Sequence, residues 1–200
     1  MKKACVLCNI VLTPLSLMYM ELAVQADTNE LVRRSRGGDP RSFQLLYKQY
    51  ARAMYNTALR ILASTADAED VLQEAFIDAF RNLDRFAEQS TFGAWLRQIV
   101  VYKAINQLKK KKLVLVEASE ETWEAADPEG PDPEAEVLQV HRIREAMEQL
   151  PTGFRTVLSL YLFEGYDHEE IAGILGVTHT TVRTQYVRGK KRLLEIIRST

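Results

Sequence analysis

The residues best suited to chemistry lie near the C-terminal end, where Thr181, Arg183, Thr184, Gln185 and Arg188 recur at helical spacing. Hydroxyl, amide and guanidinium groups on one helix can donate to base edges in a major groove, and Lys190, Lys191 and Arg192 beyond them offer charge to phosphates. The segment before them gives this helix a partner. His168 to Leu175 reads as a helix with Ile171, Ala172 and Leu175 inward, Gly176-Val177 as a turn, and Thr178 or His179 as the start of the second helix. Gly176 can take the left-handed conformation such a turn needs, Ala172 is small enough for a close crossing, and Ile171 and Val182 can plug the junction. The spacing is that of a helix-turn-helix. The plain alternative is a helical hairpin whose Arg and Lys only solvate a surface, and His179 reads equally as a DNA contact or as an exposed residue at a helix start.

Other chemistries find no footing. The three histidines, His141, His168 and His179, are not arranged with a nucleophile or with metal ligands, and no glycine-rich phosphate loop is present. The expectation is no catalytic residue, no metal site and no cofactor. Cys5 and Cys8 form a lone CxxC, which cannot close a zinc site without a second Cys or His pair. Two cysteines outside the folded part imply no disulfide framework and fit a reducing compartment.

The elements that must position these residues read as helical throughout. Glycine and proline are scarce, 9 and 6 in 200 residues, and no run of alternating β-branched residues sits between turn signals. Asp27 or Thr28 caps a short helix through Arg36, ended by Gly37-Gly38. Asp39-Pro40 then supplies an N-cap and a first-position proline for a long helix with Phe43, Leu46, Tyr47, Tyr50, Met54 and Ala58 on its core stripe. Ser64 or Thr65 caps a third helix to about Leu83, apolar at Val71, Leu72, Ala75, Ala79 and Phe80 and acidic at Asp67, Asp70, Glu74 and Asp78. A loop from Arg85 to Thr91 leads to a fourth helix through Lys112, with a basic end at Lys109 to Lys112. Helices are expected again over Ala135 to Gln149 and Gly153 to Phe163.

A net charge of -1 argues on its face against a nucleic-acid binder, but the charge is blocked out along the chain. Basic residues gather in Arg97 to Lys112 and in Arg183 to Arg198. Between them, Leu113 to Glu136 carries Glu117, Glu120, Glu121, Glu124, Asp127, Glu129, Asp132, Glu134 and Glu136 with no Lys or Arg, and three prolines. Such a composition cannot bury enough apolar surface to order itself and reads as a flexible linker. The expected division is an N-terminal extension over 1–26, a helical domain over 27–112, an acidic linker over 113–136 and a second helical domain over 137–200, an all-α protein of two small domains. In the extension, Lys2 and Lys3 precede the apolar run Val6 to Met20, and Val24-Gln25-Ala26 has the small-residue form of a signal-peptidase site. The competing reading is an over-extended start, with Met18 or Met20 as initiator. The run is too short and too interrupted by Asn9, Pro14 and Ser16 for a membrane span.

Three stretches together resemble one family. Ala68-Glu-Asp-Val-Leu-Gln-Glu-Ala-Phe76, Thr91-Phe-Gly-Ala-Trp-Leu96, and Leu150-Pro151 followed by Tyr166-Asp-His-Glu-Glu-Ile-Ala172 and Thr181-Val-Arg183 are similar to motifs of the extracytoplasmic-function sigma factors of the sigma-70 family. The resemblance covers roughly Asp27 to Arg198. It implies a cytoplasmic, non-enzymatic transcription initiation factor that binds core RNA polymerase and promoter DNA, both double-stranded and locally melted. It also implies control by an anti-sigma factor, and no small-molecule substrate. By the resemblance, Asp70, Gln73, Glu74 and Phe76 bind polymerase; without it, that acidic face reads as solvated surface. The loop Arg85 to Thr91 captures a base flipped from the minus-ten element, and Gln98, Tyr102, Lys103, Asn106 and Lys109 face the opened strand, with aromatic stacking offsetting the few kcal/mol that flipping costs. Arg183, Thr184, Val187 and Arg188, with Thr181 and Lys191, meet the minus-thirty-five element in the major groove. Tyr102 and Gln98 stand where the family commonly has Asn and Arg, which bears on the minus-ten preference.

Two rivals use the same residues differently. A stand-alone helix-turn-helix regulator of the response-regulator type shares the C-terminal pattern but needs a sensing domain, which residues 28–112 do not resemble. An enzyme or an exported protein, the latter resting on the first apolar stretch, has no support from the body of the chain.

Overall fold

The computed structural model describes residues 27–111 and 142–199. The expected extension over 1–26, Cys5 and Cys8, the linker over 113–136 and the first part of the helix expected from Ala135 lie outside the described residues. Those described form eight α-helices and no strand: α1 (27–36), α2 (Pro40–Leu62), α3 (Thr65–Arg81), α4 (Phe92–Lys110), α5 (142–148), α6 (Thr152–Leu162), α7 (His168–Leu175) and α8 (His179–Ser199). The fold is all-α, as the composition implies.

Local chemistry sets the helix starts. Asp39 caps α2 by accepting from the Arg41 N–H at 3.0 Å, with Pro40 next to it. Ser64 Oγ accepts from Asp67 N, Thr91 Oγ1 from Ala94 N, and Thr178 Oγ1 from Thr181 N. Each satisfies one of the backbone donors a helix start leaves without a partner. Asp167 and Glu170 form a reciprocal capping box on α7, at 2.8 and 2.9 Å. Gly176 ends α7 at φ 74°, the left-handed conformation its lack of a side chain allows.

Helices α2, α3 and α4 pack on one another in a first unit, and α6, α7 and α8 in a second. The first core is built from Leu46, Met54, Ile61, Phe92, Leu96 and Val100, all nearly inaccessible. Tyr47, expected in the core stripe, is 41% exposed, its ring tilted against Phe76. In the second unit Ile171 and Val182 are both fully buried at the α7–α8 junction. The crossing of α6 and α8 is tight: a Cβ on Gly189 would lie 3.1 Å from Phe154 Cβ and 3.2 Å from Leu158 Cδ1. Only glycine lets the helices approach so closely without displacing the chain.

The units are not held apart. The larger apolar cluster runs from α2, α3 and α4 into Val157, Leu160, Ile171 and Ile174, and α2 packs along α6.

Candidate nucleic-acid interface

On α8 the 3.6-residue period separates two sides. Val182, Gln185, Gly189, Leu193 and Ile196 are buried. On the opposite side Arg183, Val187 and Lys191 are exposed, flanked by the half-buried Thr181, Thr184 and Arg188. The six residues expected to meet the upstream element therefore share roughly 160° of arc, a hydrogen-bonding strip of the kind that fits a major groove. Gln185 is the exception among the donors read from the sequence. It is only 2% exposed and its Oε1 has no hydrogen-bond partner. Three residues after Val182, it falls on the inward stripe and cannot reach a base.

His168 and His179, the first residues of α7 and α8, sit with ring centroids 5.9 Å apart. His168 stacks on Tyr161 at 4.8 Å and leans on Tyr186 at 5.2 Å. His179 is exposed.

On α4, Gln98, Tyr102, Asn106 and Lys109 are exposed and lie within about 80° of one another around the helix. Lys103 departs from that set. Its ammonium lies 2.6 Å from Asp78 and 3.3 Å from Glu74 on α3. Burial disfavours its charge, but the two carboxylates outweigh burial and raise its pKa above the usual lysine value. Lys103 thus ties α4 to the acidic face of α3, not to the exposed face of α4.

The acidic face divides the same way. Asp70, Gln73 and Glu74 are exposed, whereas Phe76 is 3% exposed, its ring 4.8 Å from Tyr47 and 5.6 Å from Phe80. Phe76 cannot touch a partner in this arrangement, because the α3 period turns it inward beside Leu72 and Ala79. Two exposed apolar groups stand near that face, Tyr47, which the sequence pattern puts on the core stripe, and Ile77, which the pattern does not single out, at 41% and 48%. Asp67, at the start of α3, accepts from Lys111 Nζ at 2.6 and 2.7 Å and from Gln107 at 3.3 Å. Those hydrogen bonds, Lys111 first, hold its carboxyl below the usual aspartate range.

The loop between α3 and α4 is stapled from α1. Arg36 donates to the carbonyls of Leu83 and Phe86 and pairs with Glu88 at 2.9 Å, where the backbone takes φ 58°. Phe86 is buried against Phe92 and Trp95 at 5.9 and 5.2 Å. The one aromatic side chain of the loop is therefore committed to the core and cannot stack on a base. Arg85, Ala87, Glu88, Gln89, Ser90 and Thr91 remain exposed.

Among the described residues no group of three or more His, Cys, Asp or Glu could hold a metal, and no helix is long and apolar enough to cross a membrane.

Comparison with known proteins places both units. The family model for sigma-70 region 2 matches residues 46–114, and that for sigma-70 region 4 matches residues 141–193. The chain is similar to the ECF RNA polymerase sigma-E factor of Escherichia coli K12, 32% identical over 184 residues that cover 86% of this chain and 95% of that one. It is 31% identical over 160 residues to the ECF RNA polymerase sigma factor SigE of Mycolicibacterium smegmatis, covering 78% of this chain but spanning only 62% of that protein's length. The co-crystal structure of the sigma factor RpoE with the anti-sigma factor NepR from Bartonella quintana matches with a TM-score of 0.50. That match covers 78% of this chain and 96% of that one at 21% identity, a likeness of fold.

Proposed function

Since the chain belongs to the extracytoplasmic-function group of the sigma-70 family, we propose that it binds core RNA polymerase in the cytoplasm and directs it to promoters through two separate DNA-binding faces, without catalysing a reaction itself. The observation that carries this reading is the pair of polar, cationic strips on α8 and α4, each set opposite a buried stripe. The α8 strip, Thr181, Arg183, Thr184, Val187, Arg188 and Lys191, reads the minus-thirty-five element in the major groove. The α4 strip, Gln98, Tyr102, Asn106 and Lys109, lies along the opened minus-ten strand, and Tyr102 supplies the stacking surface that buried Phe86 cannot. The polar rim of the loop from Arg85 to Thr91 receives the flipped base.

Asp70, Gln73 and Glu74 on α3 meet the polymerase. Phe76 serves that contact only by holding Tyr47 and the helix in place, and Lys103 by fixing α3 to α4. The acidic linker over 113–136 threads through the polymerase near its active cleft. Its negative charge competes with phosphate for the basic faces, so that tight promoter binding needs polymerase. An anti-sigma factor holds the protein inactive until it is called for.

Transcription in vitro with core polymerase on a randomised promoter library tests the assignment. It is expected to return a two-element consensus. Arg183→Ala or Arg188→Ala is expected to relax only the upstream element, each costing about 1 to 3 kcal/mol of discrimination. An unchanged upstream preference in both variants overturns the role given to α8.

A further inference from the structure

The contact between the two units is built around one carboxylate. The Glu164 side chain, just beyond α6, is only 2% exposed, although its backbone stays partly open. Arg60 at the end of α2 pairs with its Oε1, and Arg97 on α4 lies 3.5 Å from its Oε2. The Arg60 guanidinium also sits 5.1 Å over the Phe163 ring. A carboxylate this far out of water is tolerable only while its cations hold it, and both cations come from the other unit.

Around this pair the second unit completes the first. The last carbonyls of α2 have no partner within their own helix. The Arg60 carbonyl accepts from Ser159 Oγ at 3.3 Å, and the Ile61 carbonyl from Arg155 Nε at 3.5 Å. On the other side Lys109 donates to the Ile174 carbonyl at 3.4 Å, near the negative end of α7. Arg97 of α4 is thus turned onto the second unit, and the Lys109 ammonium reaches it from the exposed face. Both lie on the helix whose exposed face is assigned to DNA, Arg97 about 100° around it from Gln98.

We propose that Arg60 and Arg97 form an anion socket that takes a promoter-DNA phosphate, and that Glu164 fills the socket in the free protein and latches the two units closed. Two guanidinium groups that together neutralise a carboxylate neutralise a phosphate by the same chemistry. DNA and closure therefore compete for the same two side chains. The phosphate half rests on the promoter-binding function; the closure half does not, and scattering in the absence of DNA reads it alone.

The test uses the full chain. Small-angle scattering of Glu164→Gln is expected to show a larger radius of gyration than wild type at about 50 mM salt, with wild type opening only in part at about 500 mM, because a pair with a nearly buried carboxylate is screened much less than an exposed one. Fluorescence anisotropy with a labelled promoter duplex carrying an opened minus-ten bubble is expected to show roughly ten-fold tighter binding by Glu164→Gln, the size of effect that freeing a charge pair commonly gives. Arg60→Gln combined with Arg97→Gln is expected to expand the chain equally yet gain no affinity, because the socket is gone. Wild-type scattering and wild-type affinity in Glu164→Gln overturn the latch. Equal gains in affinity by Glu164→Gln and the arginine double variant overturn the socket while leaving the latch. If circular dichroism shows that Glu164→Gln loses helix, Arg97→Gln alone, altered at a half-exposed site, decides: expansion at low salt supports the latch, and an unchanged radius refutes it.

Discussion

Replacing Gln185 by methionine separates what α8 shows to DNA from what it shows to its own core. The side chain is 2% exposed on the stripe shared with Val182 and Gly189, and its Oε1 has no partner. A buried acceptor left without a partner costs about 1 to 3 kcal/mol. Methionine has nearly the same length and helix propensity and no polar atom to satisfy, so the substitution removes that cost at a repacking strain of under about 1.5 kcal/mol. The expected net gain is on the order of 1 kcal/mol, a rise of roughly 2 to 8 °C in the thermal midpoint for units of this size. Arg183→Ala provides the opposite case. Arg183 is exposed, so its loss is expected to move stability by no more than about 0.5 kcal/mol while removing discrimination at the upstream element. Calorimetry and promoter-library transcription on both variants read the two quantities independently. A Gln185→Met protein that melts lower than wild type and shifts the upstream consensus would show that this side chain faces DNA, and the inward assignment of the stripe would be wrong.

Three further expectations concern the first unit. Phe76→Ala is expected to lose about 3 to 5 kcal/mol in urea denaturation, because its ring is 3% exposed and packs on Tyr47 and Phe80. Gln73→Ala, on the exposed side, is expected to weaken core-polymerase binding at unchanged stability; a stable Phe76→Ala protein with weakened polymerase binding would reverse the two roles. Asp67 titrates below its ordinary value of 3.8 through its hydrogen bonds with Lys111 and Ser64. A carboxyl depressed on folding adds stability that is present above the unfolded value and is lost as pH falls through the folded one. Lys111 is nearly half exposed, so the contribution is expected to be only about 0.5 to 1 kcal/mol. Denaturation of wild type and Asp67→Asn from pH 7 down to pH 2 is expected to show the difference at neutral pH and its decline below 3.8 as the folded carboxyl protonates; a difference undiminished at pH 2, or one that grows in acid, refutes the ion pair as its source.

The sequence carried those features that depend on neighbours a few positions away. Asp39-Pro40, Ser64 and Gly176 set helix ends through bonds that close within one turn, and each end lies within two residues of where the pattern put it. The misplaced side chains share a different cause. Residue type within a motif points Gln185 and Phe76 outward, whereas the helical period counted from Val182 and Leu72 turns them inward. Lys103 is less legible. Its period places it off the Gln98–Lys109 face, but only the packing of α3 beside α4 brings Asp78 and Glu74 to it.

The contact between the units was not legible at all, because its polar groups have no local pattern. Arg155 looks like any helix-surface arginine, yet it is 7% exposed, and burial lowers its pKa from the ordinary guanidinium range. What holds it is a set of carbonyls, Leu150 at 2.9 Å and Ile61 at 3.5 Å. Carbonyls and cations of this kind can be returned to water when the units part, whereas an interface closed only by apolar side chains would expose surface that water does not repay. The polar seam and the apolar contacts of Leu160 and Ile174 thus set opposite tendencies in one interface: the first makes opening reversible, and the second gives the closed form its stability. Moderate salt screens the exposed part of the first, so the salt dependence of the radius of gyration sets a lower bound on how much of the closure is charge.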